Sequence, residues 1–302
     1  MKYIKYGVIS ALFVFLFVFG PELSPALQQL FLYIQKSWHG ALYSVGYFLE
    51  ALLSHMEAIL FAVPVYVIAA LTGLLGYAAN LKIWRGVSFS VLVLLIDRFG
   101  CWDGSVYTVS AVIAVMSVSL IIGIPIGIIL SAGRRRFLII NPILNAMQIL
   151  PNYVYLIPSL MLLGSGIASG VMAAVIYSIP PVISLTAHAI RRTDPKMREA
   201  AIAFGATNWQ SIIRVELPQA MPTIAHGVNR AAMLALSMVV ITSIIGSQGL
   251  GLDMLGAMQD GDIGRVVTCG ICLVFITIII DYISKAMSAI ASERRQGGAG
   301  GA

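Results

Sequence analysis

The run Ser105–Leu130 reads SVYTVSAVIAVMSVSLIIGIPIGIIL and contains no Asp, Glu, Lys or Arg. At about 1.5 Å rise per residue, a helix of this length matches the roughly 30 Å hydrocarbon core of a bilayer. Apolar side chains point all round it, so it is stable only in lipid or inside a large apolar core. The rest of the chain excludes the soluble alternative. Of 302 residues, 59% are hydrophobic and 11% charged, against about 25% charged in soluble proteins. Disorder needs the opposite composition. A β-barrel would alternate over strands of about 10 residues, whereas these runs are long and unbroken. The fold class is all-α, a polytopic membrane protein.

Working outward, the pattern predicts about eight transmembrane helices. They are Ile4–Gly20, Ala58–Ala79, Val87–Trp102, Ser105–Leu130, Ile143–Leu163, Ile167–Ile190, Gly227–Ile245 and Val266–Ile290. The first has the form of a signal peptide behind Lys2 and Lys5. Ser24-Pro25-Ala26 is a poor cleavage site, so it reads as an uncleaved anchor. Between the first two spans, Pro25–Leu53 mixes apolar positions with Gln28, Gln29, Gln35, Lys36, His39 and Glu50, as in a helix lying on the membrane surface. Residues 1–103 then form an anchor region, 104–290 the core domain and 291–302 a flexible cytoplasmic tail.

The net charge of +6 comes from basic residues in alternate short loops. Lys2/Lys5, Lys82/Arg85, Arg134-Arg135-Arg136, Arg191 to Arg214 and Arg294/Arg295 fall on one side. Gly164–Gly170 is uncharged, and Asp253, Asp260 and Asp262 outnumber Arg265. This is the positive-inside pattern rather than a nucleic-acid footprint, and it predicts that both termini are cytoplasmic.

Catalytic constellations are missing. There is no GxxxxGK[ST] phosphate loop, GxSxG or HExxH. His39, His55, His188 and His226 are scattered, and Cys269-Gly-Ile-Cys272 lies in an apolar run without nearby ligands. Asp281 precedes Lys285 by four residues, so the two can pair on one helix face.

The longest basic loop is the informative one. Thr193-Asp194-Pro195 sets an Asp N-cap and Pro at the first helical position. A short helix follows and breaks at Gly205. Thr207-Asn-Trp-Gln210 fits a capping box that opens a second helix, which Leu217-Pro218 is expected to stop. Ala200, Ala201 and Gly205 keep the surface small, so the pair forms a knob that another surface can approach closely.

Glu199-Ala200-Ala201, Gly205 and Val215-x-Leu217-Pro218 at this spacing resemble the EAA motif of bacterial ABC importer permeases. Val215 stands where the family usually has Ile. The stretches Met147–Pro158, Ala220–Asn229 and Met233–Val240 resemble the glycine betaine/proline betaine/choline permease subunits. The resemblance implies a type I ABC importer permease fold in a bacterial cytoplasmic membrane. It implies a second permease copy, two ATP-binding cassette subunits carrying ATP and Mg, and an extracytoplasmic solute-binding protein. No cofactor would sit in this chain, which is not itself an enzyme. Glu199, Ala200, Ala201 and Gly205 would couple to the ATPase, with Leu217 and Pro218 closing the loop. Met147, Gln148, Asn152, Tyr153, Tyr155, Met233, Ser237 and Met238 are candidates for the translocation path. The two Tyr could attract a quaternary ammonium cation. Gly123-Ile-Pro-Ile-Gly127 offers close helix contact, and Pro151, Pro158, Pro180 and Pro181 are expected to interrupt spans. Permeases for other small solutes, such as amino acids, remain an alternative. An ion-coupled secondary transporter would need intramembrane ion-binding carboxylates or inverted repeats, and neither is evident.

Overall fold

The computed structural model describes residues 25, 28–80 and 83–299. The predicted first span lies outside them. Every regular element among the described residues is helical. The elements are α1 (His39–Ala62), α2 (Val65–Asn80), α3 (Ile83–Arg98), α4 (Trp102–Ser131), α5 (Arg134–Met147), α6 (Tyr153–Leu163), α7 (Ile167–Arg191), α8 (Pro195–Ala203), α9 (Asn208–Ser211), α10 (Leu217–Thr242), α11 (Leu250–Gln259) and α12 (Ile263–Ala299).

The centre is α4, α7 and α10. Along α4 and α7 the contacts climb together, which makes the two helices parallel. Ser119 and Ser178 share a hydrogen bond of 2.7 Å, a Cβ on Gly123 would meet Val182, and one on Gly127 would stand 2.6 Å from Thr186 Cβ. The small-xxx-small spacing therefore brings these two backbones together. Contacts between α7 and α10 run the opposite way, from Gly170 beside Thr242 to Gly227 beside Leu185. Helix α12 flanks α10, where Asn229 Nδ2 donates to Asp281 Oδ1 and Lys285 Nζ pairs with Asp281 Oδ2 at 2.5 Å. Cys269 and Cys272 are fully buried, and Cys269 Sγ stands 3.9 Å from Cys101 Sγ. An antiparallel α2–α3 hairpin, in which Ser90 Oγ bonds Ala69 O, leans on α12 through Tyr282 Oη to Gly76 O.

Charge sorts the two ends of the bundle. Arg134–Arg136, Arg191 and Arg198 share one end, where Arg191 donates to the last-turn Ser131 carbonyl. At the other end Asp253 lies against Gly104, and Arg265 donates to Gly100 O. Burial pushes the Asp253 carboxyl above its usual range; Arg265 opposes that shift and Asp103 adds to it.

Several sequence expectations shift. The span Ala58–Ala79 is two helices, because the chain leaves helical geometry at Val63 before Pro64. That residue-before-proline position disfavours αR. The surface helix expected to end at Leu53 runs on to Ala62. By length and composition alone His39–Ala62 could cross a membrane. Its contacts gather at one level instead. Gly46 faces Leu163 and Ala168, Glu57 shares a small cavity with Tyr107, Ile167 and Ser247, and Phe61 meets Tyr107 edge-on. These partners all lie near the acidic end, so α1 lies across that end. The span Ile143–Leu163 breaks between Met147 and Tyr153, at Pro151. Pro158, Pro180 and Pro181 interrupt nothing and sit inside α6 and α7. Around the last two, α7 is enclosed by α4 and by α10 at Gly227, and that packing holds the helix together where prolines remove bonds. The backbone of α12 stays helical to Ala299, past Ile290 where a tail was expected.

Candidate functional site

The loop between α7 and α10 folds as its capping residues direct. Asp194 Oδ1 accepts from Lys196 N at 3.0 Å, and Pro195 occupies the first turn of α8. The helix ends in a Schellman motif: Gly205 N donates to Ile202 O and Ala206 N to Ala201 O. Gly205 supplies the left-handed residue at φ +86°. A Cβ there would meet nothing within 4 Å, so glycine is required by backbone conformation and not by crowding within the chain. The capping box is complete. Gln210 N donates to Thr207 Oγ1 and Thr207 N donates to Gln210 Oε1.

Leu217-Pro218 does not stop the second helix. A π-helical turn, Ile212–Glu216, joins α9 to α10, and Leu217 N bonds Ile212 O. Pro218 then falls in the first turn of α10, directly after the π-turn. One helical rod therefore runs from Asn208 to Ile245. The knob stands on a small apolar core of Ala189, Ile190, Ile212, Ala220 and Ile224, against which Leu217 packs.

Glu199 and Ala200 are exposed on α8, and Ala201 is half-buried. Around them lies a surface feature the motif does not name. Phe204 is 92% exposed, and Met197, Ile202, Trp209 and Ile213 are each more than 40% exposed. On so polar a loop these exposed apolar side chains form a candidate interaction surface. The signal was present in the sequence as apolar residues at positions that a capped surface helix leaves outward. It became readable only with the helix faces in place.

The path candidates divide. Met233 and Ser237 line an open hollow of about 350 Å³ with Leu236, Val240, Leu273 and Thr277, between α10 and α12. Met238 is wholly buried in the core on the other face of α10. Met147, Gln148, Asn152, Tyr153 and Tyr155 surround the α5–α6 break and line none of that hollow. Tyr155 is buried: its hydroxyl donates to the Met147 carbonyl, and its ring stands 5.4 Å from that of Tyr177. Gln148 bonds back to Leu144 O. Tyr153 is half-exposed, and Asn152 precedes α6 without a side-chain cap.

Helices too apolar for water, charges sorted to two ends and a capped knob at the basic end define a polytopic helical membrane protein. The chain belongs to the family of binding-protein-dependent transport system inner membrane components, which it matches over residues 123–293. It is 35% identical over 245 residues to the glycine betaine/proline betaine transport system permease protein ProW of Escherichia coli (strain K12), over 81% of this chain and 69% of that protein. It is 38% identical over 203 residues to the glycine betaine transport system permease protein OpuAB of Bacillus subtilis (strain 168), over 67% and 72%. To the trimethylamine N-oxide transport system permease protein TmoV of Ruegeria pomeroyi it is 35% identical, over 63% of this chain and 29% of that one. The fold resembles inward-facing conformations of the MetNI methionine ABC transporter, with a TM-score of 0.54 at 19% identity over 61% of this chain and 92% of that one. The fold is therefore that of a type I ABC importer permease, as the EAA-like residues implied.

Proposed function

We propose that this chain is the permease subunit of an ATP-driven importer for a small methylated amine, with glycine betaine, proline betaine and choline as leading solutes. One observation carries the coupling role: the family match encloses a capped knob whose outward side chains include Met197, Ile202, Phe204, Trp209 and Ile213. A partner ATP-binding subunit covers that patch and supplies the ATP and Mg. The solute class rests on the names of the relatives, ProW, OpuAB and TmoV. The arginine-rich end is cytoplasmic by the positive-inside rule, so the acidic end and α1 face outside, where a solute-binding protein delivers its cargo. Two copies of the chain, related by a twofold axis, bring two knobs to two ATPases. They also close the hollow of Met233 and Ser237 into a central path.

The test is uptake. Vesicles holding this chain with the ATPase and binding protein encoded beside it should take up radiolabelled glycine betaine only with ATP inside the compartment facing the knob. The purified complex should have the mass of two permeases and two ATPases. Uptake by this chain alone, driven by an ion gradient, refutes the assignment. A single copy beside a different permease refutes only the homodimer.

A further inference from the structure

Glu216 is a buried carboxylate outside the residues that carry the EAA-like motif, 5% exposed at the foot of the knob. Its Oε1 accepts from Ser211 Oγ at 3.0 Å and stands 3.8 Å from Arg198 Nε. Ser211 is fully buried, while Arg198 reaches inward from the exposed face of α8. In a regular α-helix, residues five apart point to different faces. The i→i+5 bond of the π-turn places them one above the other, and π-turns occur often at functional sites. The irregular turn is thus what brings Ser211 and Glu216 together, and it also admits Pro218. The three residues connect two elements, α8 and the rod, that also pack against each other across the exposed turn at Gly205. Arg198 belongs to α8, which carries Met197 and Ile202 of the apolar patch, and Glu216 to the rod that carries Trp209 and Ile213 and lines the Met233 hollow. Beside them is a cavity of about 150 Å³ lined by Ser131, Arg191, Thr193, Arg198 and Glu216. It gives this contact room to change geometry without a clash.

We propose that Arg198, Ser211 and Glu216 form a clasp that transmits displacement of α8 to the α9–α10 rod, so that Glu216 is a positioning residue for coupling. This inference rests on the importer reading. Removing one partner of a buried charge pair is costly, but here Gln at position 216 keeps the shape and the Ser211 bond and loses only the charge. The readout is solute imported per ATP hydrolysed, measured in vesicles holding the full complex, with radiolabelled glycine betaine as probe. Glu216→Gln and Arg198→Gln should each lower that ratio about fivefold, the size expected for changes along a coupling route. The double variant should be no worse than either single one, as for residues acting as a unit. Arg198→Lys should restore part of the ratio.

A wild-type ratio in both single variants overturns the clasp and leaves the importer standing. So does a parallel loss of uptake and hydrolysis at unchanged membrane level, which marks a docking defect. If Glu216→Gln fails to reach the membrane, the half-exposed Arg198→Gln decides alone. A wild-type complex that imports nothing with ATP overturns both the importer and the clasp.

Discussion

Gly205 illustrates what one residue contributes. Its φ of +86° lies where an L side chain costs about 1–2 kcal/mol, and β-branched residues fare worst there. With no atom within 4 Å of a Cβ, a substitution disturbs the turn and the docking surface but not the packing beneath. Gly205→Val should therefore insert normally and lose most ATP-driven uptake. Gly205→Asn should fall between it and wild type, because Asn tolerates the left-handed region. Uptake assays at matched membrane levels check the order, and wild-type uptake by the Val variant would contradict the role of the turn. Phe204, Trp209 and Met197 were not legible as site residues in the same way. Each is an ordinary apolar letter in an apolar chain, and only the capped helices show that it points to solvent.

Among elements, the α4–α7 pair shows how closely two backbones approach in this bundle. Its contact is made by small residues, and a Cβ on Gly127 would stand 2.6 Å from Thr186 Cβ and 3.0 Å from Ile183 O. Gly127→Val has no flexible neighbour to displace, so the helices must separate. It should destabilise by roughly 1–3 kcal/mol, as overpacking does. The control is Gly256→Ala in α11, where nothing lies within 4 Å; it should stabilise by up to about 1 kcal/mol through helix propensity. Thermal unfolding of the detergent-solubilised protein compares the two. Equal melting temperatures for the Gly127 variant and wild type would mean that this contact is not tight. The misplaced boundaries belong to the same scale. Pro64 and Pro151 break helices while Pro158, Pro180 and Pro181 do not. Exposed Pro125 and Pro142 also sit inside unbroken helices, so neither the proline itself nor its enclosure alone sets the boundary.

For the whole molecule, the sorting of charge predicts an orientation that labelling can read. In a cysteine-free background, single cysteines at Ser165 and Gln259, both exposed, should react with an impermeant thiol reagent added outside intact cells. A cysteine at the exposed Asn208 on the knob should not. External labelling at Asn208 would invert the topology. The whole-molecule arrangement also separates residues that the sequence placed together. Met233 and Ser237 open onto the α10–α12 hollow, Met238 turns into the core, and Met147 to Tyr155 gather at another break.

Composition and the 26 uncharged residues of Ser105–Leu130 were enough to determine a helical membrane protein, because unpaired backbone is intolerable in lipid whatever the tertiary arrangement. Asp194, Gly205, Thr207 and Gln210 were enough to determine the knob's two helix starts and its turn, because caps and left-handed residues act within a few positions of the chain. Whether α1 crosses or lies across the bundle was decided by the tertiary structure alone, since its apolar length permits both and only Leu163, Ala168 and Tyr107 choose between them. The Arg198–Ser211–Glu216 contact was likewise invisible in the sequence. It depends on a π-turn, an i→i+5 register that no spacing rule for α-helices anticipates, and on burial that the surrounding helices create.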